Sequence, residues 1–293
     1  MMRIVFLSGK GGTGKTTLAA AFAARAGDLV LVDADVDAAN LHLLFNPRID
    51  DTGAYVGSKV AVRNAGRCER CGRCRAVCRF GAIDERYEID PLLCEGCGAC
   101  MSACPTGAID LVEQESGTWY LGRASDRPMV GAELHPGEEA SGKLVSFVKR
   151  KADEAALAHG IDRLAIDGSP GIGCPVIASA TGAGAAVLVT EPSRAGLHDL
   201  DRILGVVRHF GIPAFLILNK ADLSEELAAE VEAYAREHDL PLLGRIPYDR
   251  RVVDAMRLGR DPAGDRESAA GRAMVDAIDR FLDLVRDLER KAS

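Results

Sequence analysis

Ser8-Gly9-Lys10-Gly11-Gly12-Thr13-Gly14-Lys15-Thr16-Thr17 follows the apolar run Arg3-Ile4-Val5-Phe6-Leu7 and precedes an alanine-rich segment. That order predicts a buried strand, a glycine loop and a helix over Lys15 to Arg25. The spacing G-x-x-x-x-G-K-T from Gly9 to Thr16 is that of a P-loop. Glycines let backbone N–H groups turn inward around a polyphosphate, and the helix dipole adds positive potential at the same point. Lys15 is placed to reach the β- and γ-phosphates and Thr16 to ligate Mg²⁺. Gly9, Gly11, Gly12, Thr13, Gly14, Lys15, Thr16 and Thr17 therefore form the expected nucleotide-binding loop.

Working outward, 293 residues suffice for one large α/β domain, or for one domain with a small insert. The net charge of −7 argues against nonspecific nucleic-acid binding, which rests on a basic face. No apolar run approaches the ~20 residues that span a bilayer. The first segment reads as a core strand and not as a signal peptide, so the expectation is a cytoplasmic protein without membrane contact.

Further strands end in residues with chemistry. Leu29-Val30-Leu31-Val32 leads to Asp33-Ala34-Asp35-Val36-Asp37, and carboxylates at the C-terminal end of a parallel strand sit where open α/β sheets bind ligands. A water-orienting group for phosphoryl transfer belongs there. A short helix is expected over Asn40 to Phe45. Arg163-Leu164-Ala165-Ile166 ends at Asp167, the position that holds Mg²⁺, and the loop Gly168 to Gly173 behind it is a switch candidate. Ala185 to Thr190, Ala214 to Leu218 and Leu242 to Ile246 complete the buried strands. Helices are expected over Ser141 to His159, Gly196 to Phe210, Ser224 to His238 and Ala269 to Lys291. Gly117 to Leu134 reads as a hairpin, with Trp119 packed in it. Asn219-Lys220-Ala221-Asp222 is where a base-recognition loop is expected.

Eight of the nine cysteines lie between Cys68 and Cys104, in two runs 26 residues apart. Each reads C-x₂-C-x₂-C-x₃-C, the pattern of bacterial two-cluster ferredoxins. Three closely spaced thiolates reach three irons of one cubane, while the fourth cysteine of each run ligates the other cluster. One [4Fe–4S] cluster thus falls to Cys68, Cys71, Cys74 and Cys104, and the second to Cys94, Cys97, Cys100 and Cys78. Pro105 follows its cysteine as the pattern expects, whereas Cys78 is followed by Arg79. A structural zinc site would show two cysteine pairs separated by a longer gap. Disulfides are the poorer reading for clustered cysteines in a cytosolic chain.

With the second lysine, Lys10, the loop Gly9 to Thr16 resembles the deviant Walker A loop of the MinD/ParA ATPase superfamily, which includes Mrp-type iron–sulfur carriers and the nitrogenase iron protein. The chain is most similar to the branch carrying an inserted ferredoxin domain. The likeness extends through Val189-Thr190-Glu191-Pro192, Gly196-Leu197-His198-Asp199-Leu200 and Ile246-Pro247-Tyr248-Asp249. It implies a doubly wound, mostly parallel α/β P-loop NTPase domain over 1–58 and 113–293. An α+β bacterial-type two-cluster ferredoxin domain over 59–112 would interrupt it.

The resemblance assigns Lys10, Lys15 and Asp35 to catalysis. Lys10 would reach phosphates across a dimer sandwiching two ATP molecules, and Asp35 would position the attacking water. Thr16, Asp33 and Asp167 would serve Mg²⁺. Asn219, with Lys220 and Asp222, would contact the base. The same four residues also fit the guanine-reading N-K-x-D pattern, and Lys10 favours ATP over GTP. Cys174 stands where the nitrogenase iron protein carries a ligand of its intersubunit cluster, making it a possible metal or cluster ligand. The other such position falls near Ala140.

Three functions follow as expectations. The first is an ATP-hydrolysing iron–sulfur protein. It would act as a homodimer or as a heterodimer with a related ATPase, and would gate electron transfer or metal-cofactor assembly on a partner protein. The second is a cluster carrier of the Mrp type, and the third a partition or positioning ATPase.

Overall fold

Ile4, Val5, Phe6 and Leu7 are apolar without alternation, the mark of a strand covered on both faces. They form β1 (Met2–Ser8), which pairs in parallel with β6 (Arg163–Pro170) on one side and β7 (Ala185–Thr190) on the other. The structure is a computed structural model that describes residues 1–124, 126–138 and 142–292. β2 (Val30–Asp33) joins β6, while β8 (Ala214–Asn219) and β9 (Leu242–Ile246) extend the parallel sheet beyond β7. β5 (Arg127–Leu134) pairs in parallel with β2, and β4 (Ile109–Ala124) and β3 (Arg48–Arg63) follow it. The order is β3-β4-β5-β2-β6-β1-β7-β8-β9.

Helices cover both faces of the parallel part. Ile4 and Phe6 pack with Phe22 of α1 (Lys15–Arg25) and Phe281 of α10 (Ala269–Ala292) in one apolar core. The opposite face carries α5 (Gly142–His159) and α6 (Cys174–Ala180), which pack on each other and on β2 and β6. α7 (Arg194–His209) lies on β7, and α8 (Glu225–Glu237) on β8. Ser193 and Ser224 cap these two helices by accepting hydrogen bonds from Gly196 N and Leu227 N.

The structure differs from the sequence reading at several elements. β3 was not anticipated, nor was the start of β4 at Ile109; a two-residue link then joins β4 to β5 within the span read as a hairpin. β6 continues past Asp167 to Pro170. The helix expected from Ser141 is described from Gly142; Ala140 and Ser141 lie outside the described residues. α2 (Leu41–Phe45) is as short as expected, and a further helix, α9 (Arg250–Arg257), starts at the cap Asp249.

The chain divides into two compact units, one of Met1–Thr52, Trp119–Glu133 and Ala140–Ser293, the other of Gly53–Thr118 and Leu134–Glu139. The second is wider than the span 59–112 marked by the cysteine repeat. Inside it the 26-residue period is visible in the backbone. α3 (Arg73–Val77) and α4 (Ala99–Ala103) each begin after a left-handed glycine, Gly72 or Gly98, and each ends at an extended cysteine, Cys78 or Cys104. Cys74, Ala82 and Ile83 are buried, and so are their counterparts Cys100, Ala108 and Ile109. Gly96 has φ +59°, and a Cβ there would collide with the Lys59 carbonyl.

Candidate functional site

Strand register decides where the carboxylates meet. Asp167 lies opposite Phe6 of β1 and opposite Asp33 of β2, so three strand ends converge beside the loop that follows β1. Gly14 is the N-cap of α1 at φ 94°, where a Cβ would strike the Asn219 amide. A cleft of about 570 Å³ opens over the loop, lined by Gly11 to Thr17 with Asp35, Asn40, Leu44 and Met256. The loop after β6 is tied to the start of the P-loop by Gly171 N, which donates to Ser8 O at 2.8 Å.

Lys15 is 6% exposed. Its Nζ donates to Asp167 Oδ1 at 2.6 Å and stands 3.6 Å from Asp35 Oδ2. The Asp33 carboxylate accepts from Leu41 N at 3.0 Å and from Asp35 N at 3.3 Å. One ammonium therefore faces three buried carboxylates. Burial opposes the charge on Lys15, but Asp167 and Asp35 outweigh it and raise its pKa. Burial, reinforced by Asp167, pushes the Asp33 carboxyl up to about 8. Burial raises Asp35 as well, against the pull of Lys15.

Asp35 Oδ1, Asp167 Oδ2 and Thr13 Oγ1 are buried without a hydrogen-bond partner. Surplus negative charge and unpartnered oxygens are a donor set suited to a hard divalent cation. The residues present thus fit Mg²⁺, with Thr16 half-buried at the second position of α1.

Lys10 Nζ pairs with Glu191 Oε1 at 2.7 Å and donates to Ser193 Oγ at 3.4 Å. The other Glu191 oxygen pairs with Lys220 Nζ at 3.0 Å. Burial works to raise the Glu191 carboxyl, yet the two lysines prevail and hold it below the usual carboxylate range. Lys220 also donates to Gly12 O at 2.8 Å, and Asn219 Nδ2 to Thr13 O at 2.7 Å. Both residues expected at the base thus hold the loop's own carbonyls here, while Asp222 accepts from Tyr248 N at 2.6 Å.

Sequence reasoning gave no role to Glu191, whose strand end becomes a neighbour of the P-loop only because β7 lies beside β1. It also missed Lys149, inside the helix α5. Its buried Nζ donates to Ala178 O, Ser179 O and Thr181 O at 2.6–3.1 Å, closing the C-terminal end of α6. Burial, with Arg3 nearby, lowers its pKa to about 8. At the other end of α6, Cys174 is an exposed thiol.

In the cysteine unit all eight cysteines are free. Cys78, Cys94, Cys97 and Cys100 line one small cavity with Ile83 and Ile89. Cys68, Cys71 and Cys74 lie within electrostatic reach of one another. Cys94 Sγ accepts from Ala61 N at 3.4 Å, and Cys104 Sγ from Ala108 N at 3.2 Å. The Arg63 guanidinium hydrogen-bonds Cys68 and Glu88. Among the described residues no three His, Cys, Asp or Glu side chains close on a point that would hold a single ion. The donors are soft cysteine sulfurs, two of which, Cys94 and Cys104, receive backbone N–H hydrogen bonds, and such a set fits iron–sulfur clusters by its chemistry.

The family model described as the CobQ/CobB/MinD/ParA nucleotide binding domain matches residues 4–262. An uncharacterized protein of Methanocaldococcus jannaschii is 35% identical over 227 residues, covering 76% of this chain and 80% of that one. Among solved structures, the cell division ATPase MinD of Pyrococcus furiosus superposes with a TM-score of 0.58 at 22% identity, covering 97% of this chain and 99% of the other. The septum site-determining protein MinD of Pyrococcus horikoshii, solved with Mg-ADP, gives 0.57 at 21% identity, covering 98% and 99%. At these identities the structural likeness establishes the fold. No helix among the described residues is long and apolar enough to cross a membrane.

Proposed function

The chain belongs to the CobQ/CobB/MinD/ParA nucleotide-binding family, a MinD/ParA-type ATP-binding ATPase, and from that premise we propose that its nucleotide state governs two [4Fe–4S] clusters in the cysteine unit. The observation that carries this reading is the repeat in three dimensions. Two equivalent glycine-capped turns bury equivalent cysteines, Cys74 and Cys100, in one small core with Ala61, Ile83 and Ile109. Cys68, Cys71, Cys74 and Cys104 would hold one cluster, and Cys94, Cys97, Cys100 and Cys78 the other. When bound, the clusters supply one-electron chemistry.

On the ATPase side, backbone N–H groups of Gly11 to Thr17 wrap the triphosphate, and Lys15 exchanges Asp167 for phosphate oxygens. Thr16, Asp33 and Asp167 serve Mg²⁺, whose charge answers the surplus of carboxylates. Asp35 orients the attacking water. Lys10 leaves Glu191 to reach the nucleotide of a second subunit, identical or related, and Asn219, Lys220 and Asp222 frame the base pocket. Closure of that dimer moves the loop Gly171 to Gly173 and with it the presentation of the clusters to a redox or assembly partner.

The exposure of Cys174 favours a second reading, a carrier that passes a cluster between subunits, since a dimer would offer two such thiolates. A positioning ATPase, the activity of the cell division proteins that share the fold, leaves the eight clustered thiols without a use. Anaerobic reconstitution with iron and sulfide, followed by iron analysis and EPR, tests the proposal. About eight irons per chain are expected; four or fewer overturn it.

A further inference from the structure

The two cysteine motifs share a backbone but not a charge. Arg70, Arg73 and Arg75 stand between Cys68 and Cys78, and Arg79 follows, against one acid, Glu69. Between Cys94 and Cys104 no basic residue occurs. Arg75 is paired with Glu85 at 3.3 Å. Arg70, Arg73 and Arg79 are exposed and make no side-chain hydrogen bond or ion pair among the described residues. Val77 and Phe80, in the same stretch, are 39% and 48% exposed. The turn of α3 is only about 7.5 Å long, and Cys74, its second residue, is buried. Three free guanidiniums and two apolar side chains are therefore exposed within the eleven residues from Arg70 to Phe80.

We propose that this segment is the docking face for an acidic protein that exchanges electrons with the first cysteine set. What passes across the face rests on the iron–sulfur reading; the face itself rests on the charges. Unpaired arginines around an exposed aromatic match the composition of protein interfaces, where Arg and aromatic residues are enriched and Lys is depleted. A nucleic-acid face would need a broad basic stripe, which a chain of net charge −7 does not supply. The free charges would also steer an acidic partner to this end of the unit.

The test uses the full-length reconstituted chain and flavodoxin, a small acidic one-electron carrier, as the probe. Binding is titrated at ~50 and ~200 mM salt, across which screening tightens. Wild-type affinity is expected to fall with salt, and the triple variant Arg70→Glu, Arg73→Glu, Arg79→Glu to lose at least ~10-fold. The same three positions changed to Gln are expected to lose less, and Arg236→Glu in α8 to lose nothing. Absence of flavodoxin binding, or binding indifferent to the triple changes, overturns the proposal. So does tighter binding of single-stranded DNA, or self-association of the chain that these arginines sustain. Iron analysis of the same samples separates the two readings. An iron-free chain that still binds through the arginines keeps the face and overturns the clusters; eight irons with arginine-independent binding do the reverse.

Discussion

Phe6, Phe22, Phe281 and Phe215 interlock in the P-loop unit, with ring centroids 5.3–5.7 Å apart, inside a core shared by the sheet, α1 and α10. The core cluster of the cysteine unit is much smaller: Ala61, Cys74, Ile83, Cys100 and Ile109 are buried together, with Tyr87, Ile89, Leu111, Cys78, Cys94 and Cys104 packed against them. The first unit is held by burial of apolar surface. The second has too little to bury, and its ion pairs, such as Arg67 with Asp110 and Arg75 with Glu85, are exposed and weak. Small scaffolds with little apolar core are commonly held by cross-links or metals, and among the described residues of this unit the clustered cysteines are suited to supply them. The proposed clusters would therefore also hold this unit together.

The sharpest way to break this comparison is to strip the iron anaerobically with a chelator. The cysteine unit is then expected to unfold, so that limited proteolysis cuts within residues 53–118 and spares the P-loop unit. Equal protease resistance with and without iron would remove the cross-link argument. Next in size is Lys15→Ala, which removes the ammonium facing Asp33, Asp35 and Asp167. Loss of one such preorganised charge is expected to lower kcat for ATP hydrolysis by about 10²–10³-fold, with iron content unchanged.

Phe281→Ala acts on the opposite side of the comparison. It is expected to destabilise the P-loop unit by about 3–5 kcal/mol in urea, again without loss of iron. The smallest effect is in pH. The folded Asp33 carboxyl titrates at about 8 against an ordinary 3.8, so the folded chain holds that proton more tightly than the unfolded chain does. Its contribution to stability is complete below about pH 4 and is lost as pH rises to about 8. The melting temperature of the metal- and nucleotide-free chain is expected to fall over that range, and Asp33→Asn to flatten the slope. Lys149 adds nothing there, because its lowered pKa changes stability only above about 8.

The parallel core could be read from Ile4 to Leu7, Val30 to Val32 and Ala185 to Thr190, because strands covered on both faces are apolar without interruption. β3 could not, since Asp50, Asp51, Gly53 and Gly57 interrupt it and only Tyr55 and Ala61 are buried. α9 was announced by Asp249 alone, which accepts from Arg251 N at its N-terminus. In the site, Lys15 was legible from the glycine-loop spacing, and Asp33 and Asp167 because each closes an apolar run. Glu191 was not, because its pairing with Lys10 depends on strand order. Nor was the placement of Asn219 and Lys220 under the P-loop, a matter of where β8 ends in space.

Whether the nucleotide bound at the P-loop governs the proposed clusters of the cysteine unit is read out by the midpoint potential of those clusters. Measured without nucleotide, with ADP and with ATP, the potential is expected to shift by tens of millivolts. Linkage sets the scale at ~59 mV for each tenfold difference in nucleotide affinity between the two redox states. One potential common to all three conditions, in a chain that carries its iron and hydrolyses ATP, would contradict the claim.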